Sequence, residues 1–453
     1  MPRLRALAAG AALLFACAAS TTALAQQAFP ATLAGHAVLP AQSFLPAPQD
    51  TPRDLQASGK FTTARRVDAV GSVMGQSGGR DTGVSLPFQG QPLQGHSGIK
   101  HMADGSFWVL TDNGAGAKAN SPDFMLYLNH YTVDFKSGQF HRLKTIFLHD
   151  PDKKVPFRIT HEGTDQRYLT GADFDPESFQ FAGGALWIGE EFGPFLIKAD
   201  LNGKVLAVFE TQVDGKAVRS PDAPGVLMPG APDAKPTPFV VKRSKGFEGM
   251  ASSKDGSKLY ALLEGALWND EAKAYENVGG KQYLRVLEFD VKTERWTGRH
   301  WKYVLEANHH AIGDFNMIDG TTGLIIERDN GEGTADKACP EGQKRTDCFH
   351  DLAKFKRVYK VEMSDANVGG EIRKIGYIDL MNLQDPKRLA KKPLTGGVLT
   401  FPFFTIENVD IVDGTHIVVG NDNNLPFSSS REPNKADDNE LVLLEVGELL
   451  QAN

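Results

Sequence analysis

Apolar residues along this chain come in short runs of roughly four to eight, many alternating with polar ones, and the 3.6-residue periodicity of amphipathic helices is scarce. Clusters of Gly, Asn and Asp separate the runs. This patterning predicts an all-β protein. One unit recurs five times: HSGIKHMADGSFWVLTDNG (96–114), PESFQFAGGALWIGEEFG (176–193), FEGMASSKDGSKLYALLEG (247–265), GDFNMIDGTTGLIIERDNG (313–331) and IENVDIVDGTHIVVGNDNN (406–424). Each copy has a polar or acidic start, a short strand, a tight turn such as Asp255-Gly256, a second apolar strand, and a polar, mostly acidic end. Two strands joined by Asp-Gly form a hairpin, so the start and the end of each unit share one side.

Two further strand-like runs follow each of the first four hairpins, for example FLIKADL and KVLAVFE within 195–209. A repeating four-stranded meander that cannot bury its own faces is the unit of a β-propeller. The expectation is a propeller of four-stranded antiparallel blades, five counted from the repeats and six if residues 26–95 build another. A β-sandwich also has regularly spaced strands, but it has no reason to repeat one acid-hairpin-acid pattern. The fifth repeat shows only ELVLLEV (440–446) after its hairpin, so a strand near FTTARRVDAV (61–70) is expected to complete it and close the ring. The predicted layout is a leader at 1–25, a proline-rich extension at 26–60, extended along the outside or acting as a tether, and a single propeller domain at 61–450.

In such a ring the starts of the inner strands and the ends of their partners meet at one mouth. That collects Ser97, Glu177, Glu248, Asp314 and Glu407 from the starts, and Asp112, Glu190, Glu191, Glu264, Glu327 and Asp422 from the ends. Like charges so placed repel by several kcal/mol unless protonated or neutralised. The candidate ligands of a divalent cation are Glu177, Glu190, Glu248, Glu264, Asp314, Glu327, Glu407 and Asp422. Oxygen donors without Cys and with few His favour Ca²⁺, with Mg²⁺ as the alternative. The competing reading is that these acids cap loops and accept backbone amides. Long loops converge on the same side, while the opposite face has only short turns and is expected to be plain. The loops carry Arg243, Lys245 and Arg431 as candidate substrate contacts. Glu248, Glu191, Arg328 and His310 are the candidate catalytic groups. Arg328 can hold a carboxylate or a phosphate oxygen, or simply pair with Glu327 or Asp329. His310 can serve as acid or base, or as one of a pair of capping histidines. GQSGG (75–79) matches G-x-S-x-G, but no helix follows to complete a nucleophile elbow.

Charge narrows the partners. The chain has 49 Lys and Arg against 56 Asp and Glu, a formal net charge of −7, which argues against a nucleic-acid binder or a polybasic membrane patch; the partner expected from the site is a small anionic ester. The start, MPRLRALAAGAALLFACAASTTALA, has a basic end, a short apolar run and a small-x-small site at Ala23-Leu24-Ala25, the pattern of a secretory leader. A lipoprotein reading would acylate Cys17, with Phe15 a poor fit. Beyond the leader only Cys339 and Cys348 remain, in a polar segment, and a disulfide is expected there in an oxidising compartment. A secreted or periplasmic protein, monomeric by default and with no transmembrane segment, is the expectation.

The segments DPESF (175–179), LWIGEEFGP (186–194), GFEGMA (246–251), AIGDF (311–315), LIIERDNG (324–331) and ENVD (407–410) together resemble the esterase-like phytase family of secreted bacterial proteins, across residues 90–446. Ser97 departs from the pattern, standing where the other repeats have an acid. The resemblance implies a propeller that binds divalent cations and hydrolyses phosphate esters or carboxylic esters. The expected function is Ca²⁺-dependent hydrolysis of an anionic ester, most simply a phosphomonoester such as phytate. The rivals are carboxylic-ester or lactone hydrolysis at the same site, and a non-catalytic binding propeller.

Overall fold

The computed structural model describes residues 26–226 and 239–453. The predicted leader, Cys17 and the middle of the proline-rich loop at 219–245 lie outside the described residues. Five sheets form a ring, the strands of each following chain order from the axis outward except where the N-terminal segment adds the outermost strand to two of them. The inner strands are His96–His101, Pro176–Ala182, Phe247–Ser252, Ala311–Met317 and Ile406–Ile411, one for each of blades 1 to 5. Each packs against the next, and the fifth returns to the first. Their hairpin partners are Phe107–Thr111, Ala185–Glu190, Lys258–Leu263, Thr322–Arg328 and His416–Asn421.

The turns form as their residues dictate. Asp255, Asp319 and Asp413 each accept backbone N–H groups two residues on, from Ser257, Thr321 and Thr415, at 2.8–3.0 Å. This side-chain mimic of a turn is what D-G-S and D-G-T sequences favour. The core lies between sheets. Leu110, Leu128 and Ile146 of blade 1 meet Phe179, Leu186 and Ile197 of blade 2, and comparable clusters fill the other junctions. Burial of each such side chain contributes about 1.5–3 kcal/mol, which holds the blades, and hence the mouth, in fixed relation.

Closure differs from the expectation. The outermost strand of blade 5 is Thr32–Leu39, antiparallel to Asn439–Glu445, and not residues 61–70. The reason is patterning: TLAGHAVL buries alternate residues against the blade, whereas the Thr62–Asp68 stretch is charged and mostly exposed. Gln27–Phe29 adds in parallel to the edge of blade 4. The proline-rich stretch is therefore partly built into the propeller. No sixth blade forms among the described residues. Val73–Ser77 and Arg80–Leu86 make instead a separate hairpin turned at Gly78-Gly79, which accounts for the GQSGG sequence. Cys339 and Cys348 are disulfide-bonded. The face opposite the mouth has short turns, but it is not plain. A cleft of about 610 Å³ opens there between blades 1 and 2, lined by Met102, Trp108, Ile146, Phe181 and Leu201.

Candidate functional site

Every inner strand begins with a break in register. Pro176 and Ser178 pair with Glu190 and Gly189, which skips Glu177. Phe247 and Gly249 pair with Leu263 and Leu262, which skips Glu248, and Ile406 and Asn408 skip Glu407 in the same way. Blades 1 and 4 break at Ser97-Gly98 and Gly313-Asp314. A bulge leaves its extra residue out of the ladder and re-aims the side chain. Here the extra residue is the acid, or Ser97 in blade 1.

Two triads of carboxylates result: Asp175, Glu177 and Glu191, and Glu191, Glu248 and Glu264, with one oxygen per residue within 4.8 Å of the others in each. Asp175, Glu191 and Glu248 are 2%, 4% and 5% exposed, yet Asp175 Oδ1, Glu191 Oε1 and Glu248 Oε1 have no hydrogen-bond partner. Unpaired buried carboxylate oxygens are costly, and the charged form pays most. Burial, joined by neighbouring carboxylates, pushes Glu177, Glu191 and Glu248 well above the usual carboxylate range and Asp175 to about 8. Such a cluster carries protons or a cation. Clustered oxygen donors with unmet lone pairs and no sulfur fit a hard divalent ion.

The turn GEEFGP separates two adjacent glutamates by role. Glu190 accepts the N–H groups of Phe192, Gly193 and Phe195 at 2.9, 2.7 and 2.7 Å, so its oxygens staple the turn rather than face the mouth. Glu191 is left to the cluster. Gly246 packs on it so closely that a Cβ there would lie 2.5 Å from the Glu191 Cα. On the other side of the cluster, Glu407 accepts from Ser97 Oγ at 3.2 Å and from Arg328 Nη2 at 3.3 Å. Arg328 also donates to Asn330, lies over the Phe404 ring and leaves Nε unpartnered. Its carboxylate partner is thus Glu407, not Glu327 or Asp329. Lys245 pairs with Glu264 at the rim. Burial works against its charge, but Glu264 and Glu191 more than offset this and hold the ammonium above its usual range. Asp422 lies near Asp112 and Glu407, with burial pushing it well up and Asp112 to about 7.

Other expected members lie elsewhere. Glu327 points from its strand toward blade 3, while Arg328, next in the alternation, points toward blade 5. The Glu327 oxygens are taken by Tyr303 Oη, the Glu306 N–H, His310 and Lys374, at 2.7–2.9 Å, leaving none for an ion. His310 is held in that network and packs on Phe355. Asp314 accepts from the N–H groups of Phe315 and Val409, so its bulge ties blade 4 to blade 5. Arg243 is exposed and paired with Asp222. Arg431 forms a fork on Glu440, 2.7 Å at each contact, with His36 on the same carboxylate. Arg431→Leu is expected to cost about 3–5 kcal/mol in thermal or denaturant unfolding by stranding Glu440, with kcat/KM nearly unchanged. Asp175 was not among the expected ligands. Its signal was an acid two residues before Glu177, just ahead of the strand, where an extended segment returns to the same side.

Residues 91–425 match the family described as "Phytase-like: Esterase-like activity of phytase", and the chain belongs to that family. An uncharacterized secreted protein of Arthroderma benhamiae is 30% identical over 117 residues, which is 24% of this chain and 22% of that protein. The match therefore spans under a quarter of the curated relative. Among solved structures, a GH43 β-1,3-galactosidase with galactodeoxynojirimycin is 12% identical, with 83% of this chain and 94% of that one covered and a TM-score of 0.39. The periplasmic gluconolactonase of Pseudomonas aeruginosa is 14% identical, with 83% and 96% covered and a TM-score of 0.29. Likeness at this level carries no argument about chemistry. Among the described residues, no helix is long and apolar enough to cross a membrane.

Proposed function

We propose that this protein is a secreted hydrolase of anionic esters, phosphomonoesters of the phytate type, working with a divalent cation at the acidic mouth. The donor chemistry favours Ca²⁺, with Mg²⁺ second. The observation that carries the reading is the gathering of buried carboxylates with unmet oxygens beside two cationic side chains, Arg328 and Lys245. Asp175, Glu177, Glu191, Glu248 and Glu264 would hold the ion, which when bound supplies positive charge for the ester oxygens and acidifies a water. Arg328 is fixed by Glu407, Asn330 and Phe404, so it offers preorganised charge to the negative charge that develops. Lys245, at the rim, draws the anionic substrate inward.

With Glu248 engaged as a ligand, the proton-holding role falls to Glu407. Burial raises its pKa against the opposing pull of Arg328, so it holds a proton more readily than an exposed glutamate does. Glu407→Gln is expected to lower kcat by about 10²–10⁴-fold while the bound cation content stays unchanged. Secretion is supported by the predicted leader, the disulfide and the description of the fungal relative.

The esterase wording of the family description favours a second reading, carboxylic-ester or lactone hydrolysis at the same site. The test is phosphate release from phytate and p-nitrophenyl phosphate, beside cleavage of p-nitrophenyl acetate and a lactone, with and without EDTA. Phosphate release lost to EDTA and restored by Ca²⁺ is expected. Cleavage of acetate or lactone alone would move the assignment to the second reading. No turnover with Ca²⁺ restored would contradict both and leave a binding propeller.

A further inference from the structure

We infer that the mouth takes two divalent cations bridged by the carboxylate of Glu191. The inference rests on the cation-dependent reading above and adds the number of ions and the residue that joins them. The two triads share Glu191 and nothing else. Calcium–oxygen bonds of roughly 2.3–2.6 Å place oxygens on opposite sides of one ion about 5 Å apart, so a triad spanning at most 4.8 Å fits one ion. A carboxylate has two oxygens and can bridge two ions, and Glu191 is the one residue common to both triads.

Unmet oxygens mark both halves. Asp175 Oδ1 belongs to the first triad, Glu248 Oε1 to the second, and Glu191 Oε1 to the residue between them, all in side chains more than nine-tenths buried. The adjacent Glu190, equally buried, accepts three backbone N–H groups within its turn. The same turn thus satisfies one glutamate and leaves the next one open.

Charge points the same way. Asp175, Glu177, Glu191, Glu248 and Glu264 carry five negative charges when ionised. Glu407 is paired with Arg328, and Lys245 offsets one of the five. Asp112 and Asp422 belong to neither triad. One divalent ion would leave the five carboxylates and Lys245 with two excess negative charges, and two ions bring the sum to zero. Two ions side by side also suit an ester with several peripheral anionic oxygens, which both can engage at once. That chemistry favours a phosphomonoester over a carboxylic ester.

Chelator-stripped protein equilibrated with Ca²⁺ and assayed for metal content by mass spectrometry tests this. The wild type is expected to hold two ions per chain, Glu177→Gln and Glu264→Gln one each, and Glu191→Gln none at concentrations that saturate the wild type. With Mn²⁺ as the probe, the wild type should give a spin-coupled electron paramagnetic resonance spectrum, and the two single-ion variants an isolated six-line signal. Melting curves of stripped Glu177→Gln and Glu191→Gln, expected at or above that of the stripped wild type, separate loss of a site from loss of fold; stripped Glu264→Gln, which also removes the partner of Lys245, is expected to keep a cooperative melt. One ion in the wild type, or an ion kept by Glu191→Gln at unchanged affinity, would overturn the bridge and leave the single-cation reading standing. No bound ion in the wild type would overturn both.

Discussion

Replacing Glu191 with glutamine is expected to lower kcat/KM for ester hydrolysis by about 10³-fold or more, while raising the melting temperature of the cation-free protein. The two effects have one cause. Glu191 is buried beside Asp175 and Glu264, has an unmet oxygen, and is held well above the usual carboxylate range by burial and those neighbours. Glutamine removes a charge the folded state bears at a cost, so the stripped protein gains stability. The same change removes a donor from both triads, so charge stabilisation of the reacting ester is lost. Sites that trade stability for activity behave this way. Phosphate release at saturating Ca²⁺, beside melts in EDTA, checks both halves. Activity within tenfold of wild type, or a lower melting temperature in EDTA, would contradict the assignment of Glu191.

The second large effect is on stability against pH. Asp112 is raised to about 7 and Asp175 to about 8, while Glu177, Glu191, Glu248 and Asp422 lie well above their usual range, in each case mainly through burial. In the unfolded chain these groups ionise near pH 4, as ordinary carboxylates do. Between that value and the raised one, the folded state binds more protons than the unfolded state. Stability therefore falls as pH rises, by about 1.4 kcal/mol per pH unit for each such group. Glu306 and Glu440 act in the opposite sense. Burial opposes their ionisation, but Lys374 and Arg431 respectively bring each to about 2, so their contribution is lost only as pH falls below about 4. The cation-free protein should be most stable near pH 4–5 and lose several kcal/mol by pH 8. Calcium at 100 times its dissociation constant should restore about 2.7 kcal/mol per ion at the alkaline end. Melts from pH 4 to 8, with EDTA and with Ca²⁺, are the measurement. Two superimposable flat profiles would contradict the electrostatic account.

The repeats were readable because a propeller writes its architecture into sequence. Five hairpins with Asp-Gly or Gly-Gly turns, and acids at their ends, follow from one blade design used five times. The closing strand was harder to see, since Thr32–Leu39 pairs with Asn439–Glu445 across nearly the whole chain and alternation alone does not name a distant partner. The acids were visible, but their roles depend on geometry that sequence spacing does not encode. Glu190 and Glu191 are adjacent and chemically identical. Only the turn that folds back onto Glu190 tells them apart. Glu327 and Arg328 are likewise adjacent, and strand alternation sends one to a structural network and the other toward the mouth. The bulges, which turn Glu177, Glu248 and Glu407 out of the ladder, are register features that become visible only once the strands are paired.

The most direct test of a cation-holding mouth is a crystal of the protein grown with Ca²⁺, with data collected at long wavelength for an anomalous difference map. The account predicts peaks bonded to the carboxylate oxygens of Glu191 and its triad partners, at roughly 2.3–2.6 Å. A map without peaks there, from protein that hydrolyses its ester in the same buffer, would contradict it.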